Sequence, residues 1–203
     1  MNNLDRIFLE SQSREDYIKR YAYHVSELLM SLDYQAIEGI IEIFQTARAR
    51  GKTIFFIGNG GSAATCSHFA EDLALGTMIE GKEPFKALSL TDNIAYITAV
   101  ANDESYENIF VSQLKILFNA GDVLVAISGS GNSPNLVRAI KYANNNGGIT
   151  IGIVGFDGGQ LSRICHHCVH VETMVGEYGP VEDIHLIIAH IVSTYLMCKL
   201  REE

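Results

Sequence analysis

Two runs, Ile54-Phe55-Phe56-Ile57 and Val123-Leu124-Val125-Ala126-Ile127, each break off into a glycine- and serine-rich loop that opens a helical pattern. A strand that is apolar at every position, rather than at alternate ones, has both faces covered. Three further runs complete a series: Thr53–Ile57, Lys86–Leu90, Asp122–Ile127, Thr150–Val154 and Cys168–Glu172. Helical patterns fall between them at Ala63–Leu75, Asn93–Ala101, Glu107–Phe118 and Pro134–Asn146, and a last one runs from Pro180 to Leu200. Strands alternating with helices predict an α/β fold, a five-stranded parallel sheet between two helical layers. In such a sheet ligands bind beyond the carboxyl ends of the strands.

The first fifty residues differ. They hold no proline and one glycine, and apolar residues recur at helical spacing: Ile18, Tyr21, Val25, Leu28 and Leu29, then Ile37, Ile40, Ile41, Ile43 and Phe44. Two long helices are predicted, the second ending near Gly51. The expected organisation is a helical extension over residues 1–50 joined to an α/β domain over 51–203, as one structural unit.

Composition narrows the function. A net charge of -9 argues against a nucleic-acid surface, which needs clustered Lys and Arg. No uninterrupted apolar run has the roughly 18 residues that span a bilayer, and Met1–Asp5 has no secretory pattern, so no membrane partner is expected. Four cysteines in 203 residues do not form a disulfide scaffold. The expected setting is the cytoplasm, with reduced thiols.

Two loops carry the chemistry. Gly58-Asn59-Gly60-Gly61-Ser62 follows the first strand and Ser128-Gly129-Ser130-Gly131-Asn132-Ser133 follows the third. Each offers backbone N–H groups, small hydroxyls and a helix N-terminus, which together hold phosphate without a cation. A plain turn would use the same residues, but two such loops in the same context favour an anion. Neither spells a dinucleotide fingerprint. Gly51-Lys52-Thr53 precedes its strand and lacks the first P-loop glycine, so nucleotide binding there is rejected.

His68 and Asp72, four residues apart, share one helix face and could grip a metal or a substrate. Glu182, His185 and His190 on the last helix could be ligands or acid/base groups, or a charged helix start. On a straight helix Glu182 and His190 lie about 12 Å apart along the axis. One ion then reaches both only if the helix start is bent; otherwise the two serve different copies of the site, in an oligomer. Cys165-His166-His167-Cys168 is too tightly spaced to wrap one tetrahedral ion and is expected at a strand edge. Whether Tyr178, just before the last helix, reaches a ligand stays open.

Taken together, Gly58–Ala64, His68-Phe69-Ala70, Ser128–Ser133, Asp157-Gly158-Gly159 and Glu182-Asp183-Ile184-His185…His190 occur in an order that resembles the sugar isomerase (SIS) domain proteins of the phosphoheptose isomerase group. The resemblance covers essentially the whole chain. It implies a flavodoxin-like three-layer sandwich and a homotetramer with shared active sites. It also implies conversion of sedoheptulose 7-phosphate to D-glycero-D-manno-heptose 7-phosphate, a precursor for surface polysaccharides. By resemblance Ser128, Gly129, Ser130 and Ser133 bind the phosphate, while Asn59, Gly60, Gly61, Ser62, Asp92, Asn93 and Glu182 bind the substrate. His68, Asp72, Glu182 and His190 match a zinc-ligand set, and Asp72 and His190 match the catalytic acid/base pair. Two positions depart from the group: Asp72 replaces a glutamate and Glu182 a glutamine. The rivals are a non-catalytic SIS module binding a phosphosugar or a protein, and an isomerase for a different sugar phosphate.

Overall fold

A computed structural model describes residues 1–202. Five strands form one parallel sheet in the order β2-β1-β3-β4-β5: β1 Thr53–Gly58, β2 Lys86–Ser89, β3 Val123–Ser128, β4 Ile149–Val154 and β5 His167–His170. This is the flavodoxin-type order, whose direction reverses between β1 and β3. The loops after those two strands therefore meet across the crevice where such folds bind ligands.

Both faces of the sheet are covered, as continuous apolar strands require. Ile54, Phe56, Val123, Val125 and Ile127 face one layer of three helices, α3 (Tyr34–Ala49), α4 (Gly61–Glu71) and α9 (Tyr178–Glu202). Phe55, Ile57, Leu124 and Ala126 face the other layer, α5 (Ile94–Asp103), α6 (Val111–Leu117), α7 (Pro134–Asn145) and α8 (Leu161–Ile164). α3 supplies Ile37, Ile40 and Phe44 to the first layer, so the helix predicted to end near Gly51 is part of the α/β core.

Three N-terminal helices stand where two were predicted. The additional one, α1 (Asn3–Glu10), is closed by a reciprocal cap between Asn2 and Asp5. α2 (Arg14–Met30) buries no residue fully, and Ile18 remains exposed although its spacing predicts a core contact. Within one chain α2 touches the core only through the partly buried Val25, Leu28 and Leu29.

Other boundaries moved for local reasons. The predicted helix Glu107–Phe118 is a 3₁₀ turn (Tyr106–Asn108) followed by α6, and Arg138 pins that turn through Glu107 and Asn108. The predicted helix Ala63–Leu75 is α4 continued by a wider π turn, Asp72–Gly76. The fifth strand is shorter than predicted. By length and composition alone α9 could cross a bilayer. Charged residues interrupt its apolar run, so the continuous-run criterion passes over it. Its buried face, Val181, Ile184, Ile188, Val192 and Leu196, packs into the core of the chain.

Candidate active site

At the point of reversal a cleft of about 120 Å³ is lined by Asn59, Ser62, Ile127, Ser128, Gly129, Ser130, Ser133, Tyr178 and Glu182. No lysine or arginine lines it. Larger clefts, of about 490, 450 and 500 Å³, lie among the N-terminal helices and between α3 and α9, away from the strand ends. The small cleft is the one where the loops after β1 and β3 meet.

Its floor is the loop after β3. The Ser128 hydroxyl accepts from the Gly131 N–H at 3.0 Å, which curls the loop onto itself. Gly131 has φ +61°, and a Cβ there would run into the Gly158 carbonyl. The Asp157-Gly158-Gly159 turn thus buttresses the loop from behind, and Leu161 N–H closes on the Gly131 carbonyl at 2.9 Å. Ser133 caps α7 without a side-chain bond, leaving its hydroxyl available beside the helix N-terminus.

The loop after β1 forms the facing wall. Asn59 pairs with the buried Asn135 in both directions: Asn59 Nδ2 donates at 3.0 Å and Asn135 Nδ2 donates back at 2.8 Å. The Tyr106 hydroxyl donates to the same Asn59 Oδ1 at 2.9 Å. The Asn59 amide is therefore largely occupied by protein partners, and it fixes the loop. Tyr106 and Asn135 had no signal in the sequence, because their partner lies 47 and 76 residues away.

Two to three turns further along α4 and α9, three side chains converge. His68 Nε2 lies 3.5 Å from Asp72 Oδ2 and 3.4 Å from His190 Nε2, and His190 Nε2 lies 3.9 Å from the same carboxylate oxygen. The backbone is still α-helical at Asp72, whose N–H bonds the His68 carbonyl, so the four-residue spacing places both on one face. The π turn begins there, and such turns recur at functional sites. An ion about 2.0–2.1 Å from each tetrahedral ligand holds its ligands roughly 3.3 Å apart. These three atoms, 3.4–3.9 Å apart, stand close to that spacing. Ser193 Oγ also points at Asp72 Oδ2, at 3.4 Å.

Glu182, the fourth residue of the predicted ligand set, is not in this cluster. α9 is regular from Tyr178 onward, so the bent-start arrangement does not occur. The Glu182 carboxylate instead abuts Gly61, where any Cβ would collide with it, at the positive end of α4. Asp92 accepts from the Ser67 hydroxyl and, at 3.2 Å, from Thr91, while the Asn93 side chain caps α5 at 3.1 Å. Both stand one strand away from the cleft lining. The Cys165–Cys168 segment holds no metal geometry: His167 bonds the Ala36 carbonyl at 2.6 Å, and burial pushes the two thiols up to about 12 and about 11.

A family model described as SIS domain matches residues 16–155. A phosphoheptose isomerase of Maridesulfovibrio salexigens is 35% identical over 172 residues, covering 85% of this chain and 82% of that protein. A phosphoheptose isomerase structure from Neisseria gonorrhoeae superposes with a TM-score of 0.76 at 28% identity, covering 88% of this chain and 97% of that one. A second, from Francisella tularensis, shares the fold with a TM-score of 0.80 at 24% identity, over 91% and 98% of the two chains.

Proposed function

The chain belongs to the SIS domain family, and we propose that it is an aldose–ketose isomerase that interconverts sedoheptulose 7-phosphate and D-glycero-D-manno-heptose 7-phosphate. The observation that carries this is the pairing of two unlike sites on one helix. α4 begins at the anion cleft and carries His68 about 10 Å further on, at 1.5 Å per residue. A sugar with phosphate at one end and a reacting carbonyl at the other needs that separation.

In this reading Ser128, Ser130, Ser133 and the backbone of both loops hold the phosphate, and the Gly60–Gly61 segment lies under the sugar. Asp72 removes the proton beside the carbonyl. Its Oδ2 faces both imidazoles, which leaves Oδ1 to carry the proton. His190 serves the oxygen side and the resulting enediol collapses when the proton returns to the neighbouring carbon. His68, Asp72 and His190 would hold a divalent ion; two imidazoles and a carboxylate suit zinc. Bound there, it would polarise the substrate oxygens. His190 Nε2 either holds the ion or carries a proton, not both at once.

We further infer a homotetramer. Phe8, Leu9, Ile18 and Met30 on the N-terminal helices are largely exposed in one chain, and Glu182 stands too far along α9 to join its own His190 at one ion. Sites completed across chains satisfy both observations. The cytoplasm and a polysaccharide-precursor route complete the proposal.

The test compares the protein with its His190→Gln variant on sedoheptulose 7-phosphate. Turnover should fall at least about a hundredfold while inorganic phosphate still binds. Undiminished turnover would remove His190 from the chemistry. Phosphosugar binding without turnover in the parent protein would favour the non-catalytic module.

A further inference from the structure

We propose that Tyr178 is a substrate-contacting residue, whose phenol donates a hydrogen bond to the phosphate held in the cleft. Its ring forms the wall opposite the serine loop: a Cβ added at Gly129, in the middle of that loop, would meet Tyr178 Cδ1 at 3.3 Å and Cε1 at 3.4 Å. Any larger residue at 129 would displace the ring. Tyr178 is 54% exposed, and among the described residues its hydroxyl bonds nothing. A free phenol O–H on a residue that lines a cleft with no lysine or arginine adds a side-chain donor to those of the serine loop.

The ring is held in place from two directions. Phe156, two residues past the end of β4, stacks edge-on against it with centroids 4.9 Å apart. Phe156 is the one described non-glycine residue at positive φ, +47°, a conformation that costs a bulky side chain energy and recurs at ligand sites. Its backbone is fixed there on both sides: the Phe156 N–H donates to Thr173 Oγ1 at 3.2 Å, and the Phe156 carbonyl meets His170 Nε2 at 2.9 Å. On the other side, the neighbouring Glu177 is fully buried. Its carboxylate accepts from the Asn3 N–H at 2.7 Å and meets His24 Nε2 at 3.0 Å. The N-terminal helices thus clamp the turn that presents Tyr178.

This inference rests on the cleft being the phosphate site of the proposed isomerase. The experiment reads binding and turnover separately, in the full-length protein. Inorganic phosphate affinity is measured by titration calorimetry for the parent, Tyr178→Phe and Tyr178→Ala, and KM and kcat are measured with sedoheptulose 7-phosphate. One hydrogen bond to an anion lost should weaken phosphate binding about tenfold or more in Tyr178→Phe, raise KM by the same factor and leave kcat unchanged. Tyr178→Ala should be weaker still. Unchanged phosphate affinity in both variants overturns the inference, as does a parent protein that binds no phosphate. Phosphate binding that weakens as stated in a protein without turnover upholds Tyr178 and removes the isomerase reading alone.

Discussion

Replacing His185 with leucine should make the protein less sensitive to acid. His185 lies on the buried face of α9, fully enclosed, and neither ring nitrogen has a hydrogen-bond partner. Burial pushes the imidazole down to about 4 from 6.5, with a small opposing effect from Val154. The unfolded chain therefore binds a proton near pH 6.5 that the folded chain refuses until about pH 4. Between those values the unfolded state holds more protons, so stability falls as the pH falls. The gap corresponds to a loss of about 3 kcal/mol of stability, nearly complete at pH 4 and absent above about pH 7.5. Leucine fills a similar volume and cannot titrate. Urea unfolding of the parent and of His185→Leu, at one protein concentration and over pH 4–8, isolates the effect as a difference. That difference should grow by about 3 kcal/mol in favour of leucine as the pH falls from 7.5 to 4. A pH-independent difference would refute the account of His185 as a neutral buried ring.

Asn135→Ala removes the pair that locks Asn59. It should cost about 1–3 kcal/mol of stability and raise KM more than it lowers kcat, as steady-state kinetics and denaturant melts will show. Gly131→Ala forces a Cβ into the Gly158 carbonyl at φ +61°, so phosphate affinity measured by calorimetry should fall even in protein that still folds. Zinc titration of chelator-treated protein should find one ion per chain; His68→Ala should abolish that stoichiometry and Cys168→Ser should leave it intact.

The sheet was legible because parallel strands buried on both faces leave continuous apolar runs, and the site loops were legible because glycine and serine follow those runs directly. Other features depended on contacts that sequence spacing does not encode. The break before Val111 arises where Arg138 grips Glu107 and Asn108, some thirty residues away. α1 did have a local signal, the Asn2–Asp5 cap, but its single buried residue, Ile7, gives little helical periodicity to detect. His68 and Asp72 could be paired by spacing alone. His190 could not, since its approach is set by how α9 crosses α4. Glu182 illustrates the limit most clearly. The helical rise alone excluded a straight helix bringing it and His190 to one ion, yet only the packing of α9 against Gly61 shows where the carboxylate goes. Asn59, a sugar ligand by resemblance, also bonds Asn135 and Tyr106, contacts that its sequence neighbourhood does not encode.

The most direct test of the central claim is proton NMR of zinc-supplied protein with sedoheptulose 7-phosphate in deuterated water. The account predicts a growing aldose anomeric signal with deuterium incorporated at C2, and loss of both in Asp72→Asn. Absence of any exchange in folded protein that binds the sugar phosphate would contradict it.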